Sequence, residues 1–308
     1  MLTTLATLAV LTLAPHQQRE LPTDTTLAVQ SGARLDVNNF GGEIVVRTWN
    51  QNNVRVRAGH SSRARVEVAS SANAVLVRTG GRRGPPSIVD LDITVPAWMG
   101  MSLTGHYTDI TVDGAGGAVT AESNQGDISV TGGTGSVVIK AIEGEVTLSG
   151  TRGRMQVNAV EGDVRISDAT GDLNVETVDG DVILLRIDSP NVEVYTVDGD
   201  IAYDGTIKDG GSYRIGTHDG NITVGIAPGA SVRVSVASFD GEFDSSFPVD
   251  LQRAGRHRFT FTIGGGRARL ELETFDGDVR LRRPGEVHVP ESDHDNYKDH
   301  NYDRNHDR

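Results

Sequence analysis

The residues with most chemical potential in this chain are acidic and periodic. Asp179 and Asp181 flank Gly180, Asp198 and Asp200 flank Gly199, and Asp219 precedes Gly220. Stacking such corners in chain order would set Glu143, Glu161, Asp179, Asp198, Asp219, Asp240 and Asp276 in one column, with Asp163, Asp181 and Asp200 beside it. Like charges about 5 Å apart repel. Calcium, which favours several carboxylate and carbonyl oxygens, would relieve that repulsion. The five residues Asp179, Asp181, Asp198, Asp200 and Asp219 are therefore the candidate metal ligands, and calcium is the one ion considered; no other cofactor is expected. The competing reading is turn chemistry, because Asp caps its own backbone and Gly accepts a left-handed conformation. A calcium-binding nonapeptide reads Gly-Gly-x-Gly-x-Asp. The nearest stretch, Gly132-Gly133-Thr134-Gly135-Ser136-Val137, puts Val where the ligand should be.

Other chemistries find less support. Lyases built on parallel β stacks use carboxylates, calcium and a basic residue, and Arg154, Arg165 or Arg186 could be read as the base. Lysine occurs only at Lys140, Lys208 and Lys298, and the chain has no Gly-x-Ser-x-Gly elbow, phosphate loop or His-Glu-x-x-His helix. The histidines His60, His106, His218 and His257 show no ligand spacing. A sugar site would want an aromatic platform, and the two tryptophans, Trp49 and Trp98, read as core or cap residues. Tyr195 has outward parity, in register with Lys140, Asn158 and Glu176.

What must position these residues is a repeat. Glycines at 117, 126, 135, 144, 153, 162, 171 and 180 keep a spacing of nine without a slip. Alternate members differ, so the unit is eighteen residues in two halves. One half opens on Gly144-Glu145-Val146, Gly162-Asp163-Val164, Gly180-Asp181-Val182, and the other on Gly135-Ser136-Val137, Gly153-Arg154-Met155, Gly171-Asp172-Leu173. Each half alternates apolar and polar residues, which specifies short half-buried strands. Two strands per unit bury no face alone, and stacking joins their inward Val, Ile and Leu into one core. The expected fold is all-β, a β-solenoid or single-stranded β-helix-like stack of 18-residue two-strand coils, about 35–40 Å long at about 4.8 Å per coil. After Gly180 the spacing widens to nineteen, twenty-one, twenty-one and thirty-six residues. Loops are therefore expected to bulge from the later coils, with Gly210-Gly211 and Pro248 to His257 as candidate binding segments.

Three residues before each corner glycine stands a small residue: Ser123, Ala141, Ala159, Thr177, Thr196, Thr217, Ser238 or Thr274. The resulting [Ser/Thr]-x-[Asp/Glu]-Gly-[Asp/Asn/Glu]-[Val/Ile] repeats resemble the bacterial β-strand-repeat family labelled "putative adhesin", a domain of unknown function. Phe40-Gly41-Gly42-Glu43-Ile44-Val45-Val46 with Trp49, Ile93-Thr94-Val95-Pro96, and Gly264-Gly265-Gly266 to Leu281 are similar to its head, middle and end, so the resemblance spans about Leu27 to Leu281. It implies an exported β-solenoid-like protein at or beyond the envelope, without an established enzymatic activity.

Composition sets the remaining bounds. The 308 residues are 37% hydrophobic and 23% charged, with no cysteine, so disulfides, thiolate zinc sites and a lipid-bearing cysteine are excluded. Net charge is −13, and residues 101–308 hold nineteen Lys/Arg against thirty-five Asp/Glu, a balance that disfavours nucleic acid. Residues 1–20, with the apolar run Leu2 to Leu13, read as an export signal. Residues 21–97 then form a β cap, residues 98–283 the solenoid, and residues 284–308 a disordered His/Asp-rich tail. Beyond the N-terminus no transmembrane segment is expected. The expectation is a periplasmic or secreted non-enzymatic protein that binds a glycan or protein of the envelope or extracellular space. A carbohydrate-active lyase or hydrolase, or a structural module self-associating end to end, are the alternatives.

Overall fold

The computed structural model describes residues 21–81 and 88–287; residues 1–20, read above as an export signal, and the tail from residue 288 lie outside them. Their 25 strands form one hydrogen-bonded sheet that folds into two faces. The strands Arg34–Trp49 and Gly100–Ala115 run through the corner and belong to both faces, paired in parallel from Arg34↔Gly100 to Arg47↔Asp113. Each later coil gives one strand to each face. On one face Val137 pairs with Met155 and Ile139 with Val157; on the other Val146 pairs with Val164 and Leu148 with Ile166. The eighteen-residue register is thus the expected β-solenoid-like, all-β stack.

The alternation that specified strands also specifies the core. Val137, Met155, Leu173, Val192 and Tyr213 line one inner face and Ile128, Val146, Val164, Val182 and Ile201 the other, none more than 3% exposed. Burying each such side chain contributes about 1.5–3 kcal/mol. Ordering a coil's backbone costs about 1–2 kcal/mol for each of its residues, more than its own few buried side chains return, so a coil is stable only between neighbours.

Close stacking depends on the corner glycines. Gly180, Gly199 and Gly220 hold φ of +136°, +143° and +143°. A Cβ on Gly199 would lie 2.2 Å from the carbonyl oxygen of Gly180. No side chain fits there unless two coils part. The small residues three positions earlier seal the same corner: the buried Thr217 hydroxyl donates to Gly199 O at 3.2 Å, and Thr274 to Gly220 O at 3.0 Å.

That last bond exposes a departure from chain order. The strand Ala268–Asp276 lies between Ser212–Asp219 and Val232–Asp240, and Val279–Arg282 lies between Ile222–Gly225 and Phe243–Ser245. The final coil is therefore inserted inside the stack, and the acidic column runs Asp198, Asp219, Asp276, Asp240 rather than in sequence. The thirty-six-residue spacing does not produce a bulge alone: Arg258–Ile263 pairs antiparallel with Val232–Asp240 and closes that end of the face. The other end follows the same plan. Arg34–Trp49 sits inside Ala74–Gly81 and Val89–Pro96, and the antiparallel strands Ala64–Ser70 and Leu21–Ala28 lie outermost. A parallel outermost strand would need a long crossover to acquire a neighbour, whereas a hairpin supplies an antiparallel one directly. The Gly210-Gly211 segment is anchored on its flanks, with Gly211 buried and Gly210 exposed. The Tyr213 hydroxyl accepts the Lys208 N–H at 2.7 Å and lies 2.7 Å from Ser189 O and 3.1 Å from Thr206 O.

Two sets of substitutions test this account. Gly199→Ala should cost about 1–3 kcal/mol in backbone strain alone, more with the clash, read as a lowered thermal midpoint. An unchanged midpoint would refute close glycine stacking. The Tyr203 hydroxyl is buried without a partner among the described residues, beside a Tyr213 that is fully bonded. Tyr203→Phe should be neutral or stabilising, and Tyr213→Phe should cost about 1–2 kcal/mol, both measured by denaturant unfolding; effects of the same sign would contradict it.

Candidate functional site

The five predicted carboxylates separate into two columns. Asp179, Asp198 and Asp219 are exposed and stack through the pairs Asp179↔Asp198 and Asp198↔Asp219. Asp181 and Asp200 are half-buried one step past the glycine, and their carboxylates accept backbone hydrogen bonds from the next coil. Asp163 Oδ1 accepts the Asp181 N–H at 2.9 Å, Asp181 Oδ1 the Asp200 N–H at 2.8 Å, and Asp200 Oδ1 the Asn221 N–H at 2.7 Å. Asn221 Oδ1 then accepts from Asp278, and Asp278 Oδ1 from Glu242. Asp109 and Asp127 do the same for Asp127 and Glu145. The rung from coil to coil is absent at Glu145, where the longer glutamate stands in the aspartate's place and the Asp163 N–H finds no side-chain acceptor.

The ladder gives the inner column a structural task, with an electrostatic cost. Burial raises the carboxyl pKa of Asp181 above its ordinary value, opposed by the Asp200 N–H and reinforced by the nearby Asp163, Asp200 and Asp198 charges. Among the described residues no three Asp, Glu or His side chains are grouped to hold a metal ion.

Beside the exposed carboxylates runs a feature of the opposite character. The residue two before each corner glycine points outward, and from Ile142 on it is apolar in every coil but that of His218: Ile142, Val160, Val178, Val197, Phe275 and Phe239 are 41–58% exposed. These are six of the eleven large apolar residues exposed among the described ones. Backbone bonds hold them in line, Val160 O accepting the Asp179 N–H at 2.9 Å and Val178 O the Asp198 N–H at 2.8 Å. At its far end the ridge becomes a stack of rings. His218 lies 4.9 Å from Phe275, Phe275 4.9 Å from Phe239, and Phe239 4.5 Å from His257. Tyr195, Glu273 and Arg258 face this stack across a groove of about 410 Å³ whose floor includes Ala237.

The candidate lyase residues fare differently. Arg186 forms two hydrogen bonds of 2.7 Å to Asp168, which raise its pKa further and hold the guanidinium protonated, the wrong direction for a base. Arg154 borders a shallow depression of about 330 Å³ with Asp172 and Glu193. There Asp172 accepts from Asn191 at 2.8 Å and Glu193 from Arg214 at 3.0 Å. Arg165 lies on Val164–Ser167, paired with Ile183 of the next coil.

The Toastrack DUF4097 family model matches residues 33–282. The chain belongs to that family. The repeats that carried the resemblance fall inside the match, and the Toastrack β-solenoid-like stack is the architecture described above. Similar solved structures include a "putative adhesin" from Bacteroides fragilis, at 12% identity and TM-score 0.37, covering 86% of this chain and 99% of that one. Another "putative adhesin", from Parabacteroides distasonis, has 8% identity and TM-score 0.42, covering 86% and 98%. A "putative lipid binding protein" from the same species has 9% identity and TM-score 0.36, covering 85% and 97%. No curated protein matches.

The ring stack was missed by sequence reasoning, although its members were written in His218-Asp219-Gly220, Phe239-Asp240-Gly241 and Phe275-Asp276-Gly277. Reading the position before each Asp-Gly as a column would have found the ridge. The contact of Phe239 with His257 had no signal, because it depends on the antiparallel end strand.

Asp181→Asn tests the ladder and its cost together. The amide oxygen still accepts the Asp200 N–H, as Asn221 does for Asp278, while the charge is gone. A raised folded-state pKa means that stability is greatest below the unfolded value, about 3.9, and declines as pH rises through the folded one. The Toastrack variant should melt higher than wild type at pH 7, with the gain vanishing towards about pH 4. A pH-independent difference would refute this cause. Calcium titration is the companion measurement: a saturable rise in midpoint shows that the native state binds the ion, blunting of that rise in Asp198→Asn places it at the acidic corner, and a flat curve leaves the column to turn chemistry.

Proposed function

We propose that this Toastrack protein is an exported, non-enzymatic binding protein of the cell envelope, which engages a glycan or protein through its corner ridge and the adjoining ring-lined groove. The observation that carries the reading is the ridge itself. At the same register the early coils place His106 and Asn124, hydrogen-bonded to each other at 2.7 Å. The corner therefore tolerates polar residues, and the fold does not require Ile142, Val160, Val178, Val197, Phe275 and Phe239 to be apolar. Contiguous exposed apolar surface bordered by polar groups marks interaction sites. The apolar run Leu2 to Leu13 supports export.

The test uses the full chain immobilised and offered solubilised envelope glycans and proteins, wild type beside Phe239→Ser/Phe275→Ser. Both positions are exposed, so folding should be preserved and is checked by circular dichroism. Wild type should retain a defined ligand, with affinity falling about tenfold in the variant. Equal retention by both would move function away from the corner. Release of unsaturated sugar products would instead make the protein a lyase.

A further inference from the structure

Deepening the corner-binding reading, and resting on it, we propose that the ridge is a docking rail for a cationic amphipathic helical segment of a partner polypeptide. Eight rungs, Ile142, Val160, Val178, Val197, His218, Phe275, Phe239 and His257, span about 35 Å at about 4.8 Å each. Seven carry a carboxylate at the very next residue: Glu143, Glu161, Asp179, Asp198, Asp219, Asp276 and Asp240. None of these seven is in an ion pair among the described residues, although some Arg and Lys on the faces do pair with carboxylates there, as in Lys140 with Glu122 and Arg214 with Glu193.

The charge decides the occupant. A second copy docking ridge to ridge would bring two unpaired carboxylate columns together, which is repulsive. A neutral apolar partner would strip water from the carboxylates and return nothing. A segment with apolar residues on one stripe and Lys or Arg beside it satisfies both columns of the corner at once. Geometry favours a helix lying along the stack. Its pitch of about 5.4 Å differs from the rung by about 0.6 Å, so one apolar residue per turn stays within half a rung for about four turns. The stacked rings present edges rather than faces to solvent, and so extend the apolar wall instead of forming a sugar platform.

The experiment titrates the full chain with a Lys/Leu amphipathic peptide of about 18 residues, or five turns, beside a Lys/Ser peptide of equal charge and a Glu/Leu peptide of equal apolarity. The Lys/Leu peptide should bind saturably at one per chain, about tenfold tighter than Lys/Ser, and Glu/Leu should not bind. The exposed triple variant Val160→Ser/Val178→Ser/Val197→Ser should lose about tenfold for Lys/Leu alone. Asp179→Asn/Asp198→Asn/Asp219→Asn should weaken both cationic peptides and flatten the salt dependence. Circular dichroism establishes that each variant is folded. Equal affinity for Lys/Ser and Lys/Leu, binding of Glu/Leu, or indifference to the serine variant overturns the proposal. So does a concentration-dependent dimer in sedimentation that the serine variant abolishes, which makes the occupant a second copy. Failure with peptides leaves the envelope-ligand experiment free to succeed; failure with envelope ligands while Lys/Leu binds would sink only the envelope reading.

Discussion

The structure depends on glycine meeting glycine at one corner. From Gly126 to Gly277 the coils approach so closely that a Cβ on one corner glycine would collide with the carbonyl of its neighbour, at 2.5 Å for Gly144 and 2.0 Å for Gly277. This contact fixes the rung spacing and makes every other position around the coil a column. Once the corner is fixed, the inward rows become continuous apolar ladders, and any residue type repeated at an outward position meets its own kind about 5 Å away. Periodicity in sequence is thereby converted into self-contact in space. For apolar rows the conversion is favourable; for acidic ones it is costly.

The acidic rows answer that cost in two ways. The half-buried row uses its oxygens as hydrogen-bond acceptors, so that Asp163, Asp181 and Asp200 bind the following coil through its backbone amide. Charge-assisted bonds of this kind are stronger than neutral ones, yet burial and the neighbouring carboxylates pull Asp181 the other way. The exposed row has water instead. Side by side, the rows give one edge of the molecule a dense negative charge that the core neither needs nor neutralises, and the apolar ridge lies against it.

Much of this was legible in the sequence because it is local and periodic. The spacing of glycines, the alternation in Val146 to Leu148 and Val164 to Ile166, and the small residues before each corner each follow from one coil and its repeat. Coil order was not legible. A parallel strand carries no mark of which neighbour it will take, and the match of Thr274 to Gly220 is chemically the same as a match of Ser238 would have been. The insertion of the final coil is what places Phe275 between His218 and Phe239, so the ring stack was hidden by the same ambiguity. The acceptor ladder was hidden differently. Asp and Glu look interchangeable in a repeat pattern, but the rungs are made by Asp and Asn and the one after Glu145 is missing.

The inserted coils also determine where a ligand can be met. Three of the four outermost strands are antiparallel and the fourth, Phe243–Ser245, is a parallel strand of only three residues; the Asp24–Arg55 ion pair lies on one edge and a two-residue strand, Gln252–Arg253, forms another. Short, charged or proline-bearing edges resist strand addition. The two broad faces carry outward polar residues, some of them joined from coil to coil as Lys140 is to Glu122 and Arg186 to Asp168. What is left unsatisfied is lateral: a line of apolar side chains beside a line of unpaired carboxylates, running along the stack with the repeat of the coils themselves. A partner that recognises this edge must itself be elongated and periodic, because one rung offers little more than a valine and an aspartate, and only their repetition makes a surface.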